Sequence, residues 1–170
     1  MTDFKAQCAS GFGFICFSRS YESPVQWGHY AEKHKGICIG FDVEVDELHP
    51  IKYTDYRLEF DPALINTTKK RLSWLVDFFV TKHRHWEYEQ EERIIVGLDL
   101  VEREGDLYFA SFEAAGIKVA EVIVGCNSKI SRAAVFEALG DNAEGVDVFK
   151  VRPGFGEFKI VRNKNENLWV

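Results

Sequence analysis

The sequence predicts an α+β domain with a mixed or largely antiparallel sheet and two to three helices. Apolar runs of strand length recur from Gly13 to Val161. Two helix-start signals interrupt them, Ser23-Pro24 and Asp61-Pro62, each an N-cap residue followed by proline at the first helical position. Neither an internal repeat nor a linker breaks the pattern, so residues 1–170 read as one domain.

In chain order, Gly13 to Ser18 reads as a strand, and a helix from Ser23 runs to about Lys35, where Gly36 ends it. Ile37 to Val43 is a second strand, and Ile51 to Tyr53 and Arg57 to Phe60 are extended candidates. Ile65, Leu72, Leu75, Val76 and Phe79 recur at helical spacing, which predicts a long amphipathic helix from Asp61 to about Lys82. Strands are expected at Glu92 to Leu98, Leu107 to Phe112 and Lys118 to Val124. Ser128 is the expected cap of a helix through Leu139, stopped by Gly140. Val146 to Val151 and Glu157 to Val161 flank Arg152-Pro153-Gly154-Phe155-Gly156 as a hairpin.

A length of 170 residues with 46% hydrophobic content is enough for a sizeable core. The net charge of −6 gives no global field that would draw in phosphate backbones. Lys69-Lys70-Arg71 reads as a solvated helix face. Cys8, Cys16, Cys38 and Cys126 form no Cys-x-x-Cys pair, and three of them adjoin apolar runs. Reduced, buried thiols and a cytoplasmic location are therefore expected. The N-terminus lacks the apolar core of a signal peptide, and no run reaches membrane-spanning length, so no membrane partner is expected. Walker A, His-Glu-x-x-His and Gly-x-Ser-x-Gly motifs are absent.

Two clusters hold the candidate chemistry. The first runs from Trp27 to Phe41. On a regular helix Trp27, Ala31 and His34 share a face, Tyr30 lies beside them, and His29 points elsewhere. Two readings stay open: rings packed with their nitrogens bonded to backbone, or one of His29, Tyr30 and His34 facing a cleft as donor or general acid/base. The second cluster runs from Lys82 to Arg93. If it is extended from Trp86, then Glu89, Glu91 and Arg93 form an acid-acid-base row. Such a row suits acid/base work or the binding of a ribose or a cation. If it is helical, Glu89 and Arg93 become an ordinary i,i+4 pair. His83 and His85 read as surface residues, with no third metal ligand nearby.

Cys16-Phe17-Ser18, then Trp27, His29, Tyr30, Ala31, His34, Gly36, Gly40 and Phe41, then Lys82, Trp86, Tyr88, Glu89, Glu91 and Arg93, and finally Val122-Ile123-Val124-Gly125 follow one another in order. This succession resembles the bacterial domain-of-unknown-function family 2971. Members of that family carry a further section before the Cys-Phe-Ser strand. The resemblance thus implies a shortened member, a piece of a split system, or a binding derivative, with the missing section supplied by a homo-oligomer or another partner. Glu89-x-Glu91 is also similar to the Glu-x-Glu of ADP-ribosyltransferases, in which the catalytic Glu bonds the nicotinamide ribose and steadies an oxocarbenium-like state.

These resemblances lead to a nucleotide- or nucleic-acid-directed protein of a bacterial or phage conflict system, ADP-ribosyltransferase-like, with NAD as the candidate cofactor. Glu91 is the expected main acid, Glu89 its partner and His29 a third catalytic candidate. Trp27, Tyr30, His34, Lys82, Trp86, Tyr88 and Arg93 are the expected ligand contacts, and no metal is expected. The alternative is a non-catalytic ligand- or protein-binding module, and whether the chain is an enzyme stays open at this level.

Overall fold

The computed structural model describes residues 11–44, 46, 48–59, 67–112 and 115–169. Its architecture is α+β, and the chain divides into two compact units. One comprises the described residues of Met1–Arg19 and Asp46–Phe109, the other those of Ser20–Val45 and Ala110–Val170.

In the first unit, strand β1 (Phe12–Ser18) pairs antiparallel with β6 (Glu91–Gly97), whose other edge holds the two-residue β3 (His49–Pro50). Strand β4 (Lys52–Thr54) runs parallel to β5 (Thr81–His83), and β7 (Glu102–Glu104) and β8 (Leu107–Phe109) form an exposed hairpin. Helix α2 (Thr68–Phe79) brings Phe79 against the rings of Phe12 and Phe14, with centroids 5.4 and 5.0 Å apart. Ile51, Val80 and Ile94 are buried in the same unit.

Helix α2 is shorter than its periodicity predicts. Its N-cap is Thr67, whose hydroxyl accepts from the Lys70 amide, and it stops at Phe79 rather than Lys82. Thr81 turns its hydroxyl back to the Asp77 carbonyl, and Lys52 N–H takes the Val80 carbonyl, so the chain leaves the helix to become β5. The Asp61-Pro62 start signal and Ile65 lie outside the described residues. Residues 57–59 form no strand, and Phe60 lies outside the described residues.

The second unit is a mixed four-stranded sheet, ordered β11-β10-β9-β2 from Ile160–Arg162, Asp147–Pro153, Ile117–Val124 and Ile37–Val43. Only the β9–β10 pairing is parallel, with helix α3 (Arg132–Leu139) as its crossover. Alternation along β9 and β10 sends Ile123, Phe149 and Val151 to one face, where Trp27 and Ala31 cover them. Val122, Val124 and Val148 go to the other face, under Val135 of α3. Ser131, not Ser128, caps α3 by accepting from the Ala134 amide. Ser128 is itself buried, and its carbonyl accepts from the ammonium of buried Lys150 at 2.9 Å.

Helix α1 (Pro24–Tyr30) begins as predicted, with Ser23 as cap and Pro24 in the first turn, but ends five residues short of Lys35. Glu32, Lys33 and His34 follow in the left-handed region, at φ of 49°, 56° and 68°. Such residues persist only where their surroundings over-determine them. Here the His34 amide bonds the Trp27 carbonyl, Gly36 bonds Ala31, and Asn127 N–H and Gly125 N–H take the carbonyls of His34 and Gly36. Gly125 packs so tightly on this turn that a Cβ there would lie 2.2 Å from the His34 carbonyl oxygen.

The cysteines correct another expectation. Cys16 is exposed, and Cys38 and Cys126 are half-buried rather than buried. All three are free thiols, and Cys8 lies outside the described residues. Among the described residues no helix is long and apolar enough to cross a membrane.

Candidate functional site

The second sequence cluster does form a compact polar group in the first unit, by a route that alternation did not foresee. Residues Arg84–Glu89 are a 3-10 turn, not extended strand, so Trp86 to Glu89 do not alternate. Gln90 then takes a left-handed conformation at φ 46°, and β6 starts at Glu91. This reversal turns Glu89 and Glu91 toward the same ammonium, that of Lys82 on β5, which donates to both carboxylates and lies 2.8 Å from Glu91 Oε2. From two residues along β6, Arg93 Nε donates to Glu91 Oε1 at 2.6 Å. A second nitrogen of Arg93 donates to the Phe79 carbonyl, which anchors the guanidinium to the end of α2.

Strand pairing adds three residues that periodicity could not point to. In the β1–β6 register Cys16 sits opposite Arg93, and Ser18 opposite Glu91. Ser18 Oγ donates to the Glu89 carbonyl at 2.7 Å, tying the 3-10 turn to β1. In the β4–β5 register Tyr53 sits opposite Lys82, and its hydroxyl accepts from the Glu91 amide at 2.7 Å. Cys16-Phe17-Ser18 stood out only through a family resemblance, and Tyr53 carried no signal in its own segment.

The electrostatics follow from this packing. Glu89 and Glu91 are only 5% and 6% exposed, yet they meet Lys82 and Arg93, so two anions face two cations. Burial alone would push the Glu91 carboxyl up. Hydrogen bonds from Arg93, Lys82 and Cys16 outweigh it and hold Glu91 below its usual range. Burial likewise disfavours the charged forms of Lys82 and Arg93, but the carboxylates outweigh it and raise both. Cys16 is exposed as a residue, yet crowding at its sulfur leads in raising its pKa, with the hydrogen bond to Glu91 and the charge of Glu91 adding to it. Tyr53 is raised too, chiefly by burial. At neutral pH the cluster thus holds an ionised Glu91, two cations, a protonated phenol and a protonated thiol.

An aromatic edge borders the group. The Lys82 ammonium lies 4.8 Å from the centroid of the Trp86 ring, which is 40% exposed, and Tyr88 lies beside Trp86 with ring centroids 6.1 Å apart. His83 and His85 are exposed, with rings 4.5 Å apart. Among the described residues no three or more His, Cys, Asp or Glu side chains are placed to hold a metal ion.

The first sequence cluster belongs to the other unit. Trp27 is a core residue whose indole N–H donates to the Tyr21 carbonyl at 2.6 Å. His34 lies near-parallel to it, with ring centroids 6.3 Å apart, although the two no longer share a helix. Its Nδ1 is, among the described residues, the buried side-chain nitrogen or oxygen without a hydrogen-bond partner. His29 and Tyr30 are exposed and touch edge to face.

With this geometry in hand, comparison with known proteins adds one relation. Residues 26–94 match the family described as Protein of unknown function (DUF2971). The match takes in both clusters and stops one residue beyond Arg93. No curated protein and no solved structure matches.

Proposed function

We propose that this chain is a nucleotide-directed protein with its ligand site at the Tyr53–Lys82–Glu89–Glu91–Arg93 group, and that Glu91 works there as an ionised hydrogen-bond acceptor. The observation that carries this reading is the pair of cations on Glu91. A carboxylate held below its usual pKa is a poor proton donor at neutral pH, so the general-acid role is the less suitable one. A fixed ionised carboxylate suits a ribose hydroxyl, and it suits the oxocarbenium-like charge of an ADP-ribosyltransferase-like reaction. Lys82 and Arg93 then act mainly to hold Glu91, because their charge is already shared with carboxylates. The exposed Trp86 ring supplies a stacking surface for a base. Thermal shift with NAD, AMP and adenosine tests this, since a ligand binding only the folded state at 100 times its Kd adds about 2.7 kcal/mol. A rise in Tm with at least one of them is expected. No shift with any of the three at millimolar concentration rejects the reading.

The charge balance and depth of the same network favour a second reading, a non-catalytic binding module in which Lys82, Glu89, Glu91 and Arg93 hold the fold. The two readings separate on whether loss of charge at Glu91 removes ligand binding beyond the loss of folded protein.

A further inference from the structure

We propose that Tyr53 is a ligand-facing donor of this site, and that with Glu91 it selects a neutral hydroxyl group over a phosphate. The inference rests on the nucleotide reading and names which part of such a ligand the group grips.

Charge is the first consideration. Both cations already contact carboxylates that are almost wholly buried and cannot move away. A phosphate arriving here would have to compete with Glu89 and Glu91 for Lys82 and Arg93, and would bring two negative charges beside two more. A hydroxyl brings no charge and can both donate and accept.

Donor and acceptor chemistry is the second. A carboxylate offers about four lone-pair positions. Those of Glu91 receive Lys82, Arg93 and the Cys16 thiol, which leaves room for one more donor. The Tyr53 hydroxyl accepts from the Glu91 backbone amide, so its own proton is directed away from that amide. Tyr53 is half-buried, so its hydroxyl can be reached from solvent. It also holds its proton more firmly than usual, which keeps it a donor through neutral pH. A ligand hydroxyl that donates to Glu91 and accepts from Tyr53 meets each group in the role it already has.

The test uses calorimetric titration of the full chain and its Tyr53→Phe variant, with adenosine, 2′,3′-dideoxyadenosine and inorganic phosphate as probes. Wild type should bind adenosine about tenfold more tightly than the dideoxy analogue, the size of one good hydrogen bond. In Tyr53→Phe that ratio should fall to about twofold or less. Because the ratio is taken within one variant, any destabilisation from the unpaired Glu91 amide cancels. Phosphate should neither bind nor compete. If adenosine and its dideoxy analogue bind wild type equally, or the ratio survives in Tyr53→Phe, or phosphate competes, the hydroxyl inference is wrong while the nucleotide reading stands. If neither nucleoside nor any nucleotide binds wild type, both are wrong.

Discussion

Replacing Glu91 by Gln removes one charge from the centre of the network while keeping the shape of the side chain. An amide offers one acceptor oxygen and one donor nitrogen. Glu91 now serves Arg93 with one oxygen and Lys82 with the other, so in the variant one cation must face an N–H group. Breaking a buried ion pair by removing one partner costs about 3–5 kcal/mol. Lys82 keeps Glu89 and is 23% exposed, so the lower figure of about 2–3 kcal/mol, one charge-assisted hydrogen bond, is the better expectation. For a chain of this length that is a fall in Tm of about 5–10 °C. The pH dependence gives an independent check. The folded-state pKa of Glu91 lies below its ordinary value of about 4.5, so its contribution is fully present above that value and is lost as pH falls through the folded pKa. Urea unfolding at pH 7 should show the full gap between wild type and Glu91→Gln, and the gap should close as pH falls below about 4. A variant within 0.5 kcal/mol (~) of wild type at pH 7, or a gap unchanged at pH 3, would refute the assignment of the network as a stabilising ion cluster.

Further outcomes follow from single contacts. Gly125→Ala should destabilise the second unit by roughly 3 kcal/mol or more, since its Cβ meets backbone of the left-handed turn. Gly40→Ala should cost less, about 1–3 kcal/mol, because Glu121 Oε2 can swing aside but Glu121 Cβ, 2.9 Å from the added carbon on the paired strand, cannot; urea melts that rank the two the other way would contradict the packing. In thiol labelling followed by peptide mapping, exposed Cys16 should react before Cys38, which packs against the core. Its rate should still be climbing at pH 9, the ordinary thiol value, because partial burial and then Glu91 hold it protonated, and a plateau by pH 8 would contradict that.

Much of the local structure was legible because it rests on short-range rules. Ser23-Pro24 marks a helix start since the cap oxygen and the proline ring act within a single turn. The strands β1, β2, β6, β9 and β10 could be located because apolar side chains recur at strand length wherever a sheet face is buried. The concentration of Lys, Glu and Arg between Lys82 and Arg93 likewise marked the stretch in which ion pairs form, since ionisable groups crowded beside apolar residues must find partners. The sequence could not reveal how those groups meet. Glu89 and Glu91 share an ammonium because a 3-10 turn and one left-handed residue, Gln90, replace the expected alternation, and no residue-type preference at Gln90 announces it. The early end of α1 has the same cause. Glu32 and Lys33 are poor left-handed residues by intrinsic preference, and hydrogen bonds from Gly125 and Asn127, about ninety residues further on, join the local ones to Trp27 and Ala31 in holding the turn there. Tyr53 and Cys16 enter the site through strand register, a long-range choice made by the packing of whole sheets. The amino-acid order thus determined which elements form and where the charged groups concentrate, through forces acting over a few residues. Only the tertiary structure decided which of those groups touch, because that depends on pairings between segments far apart in the chain.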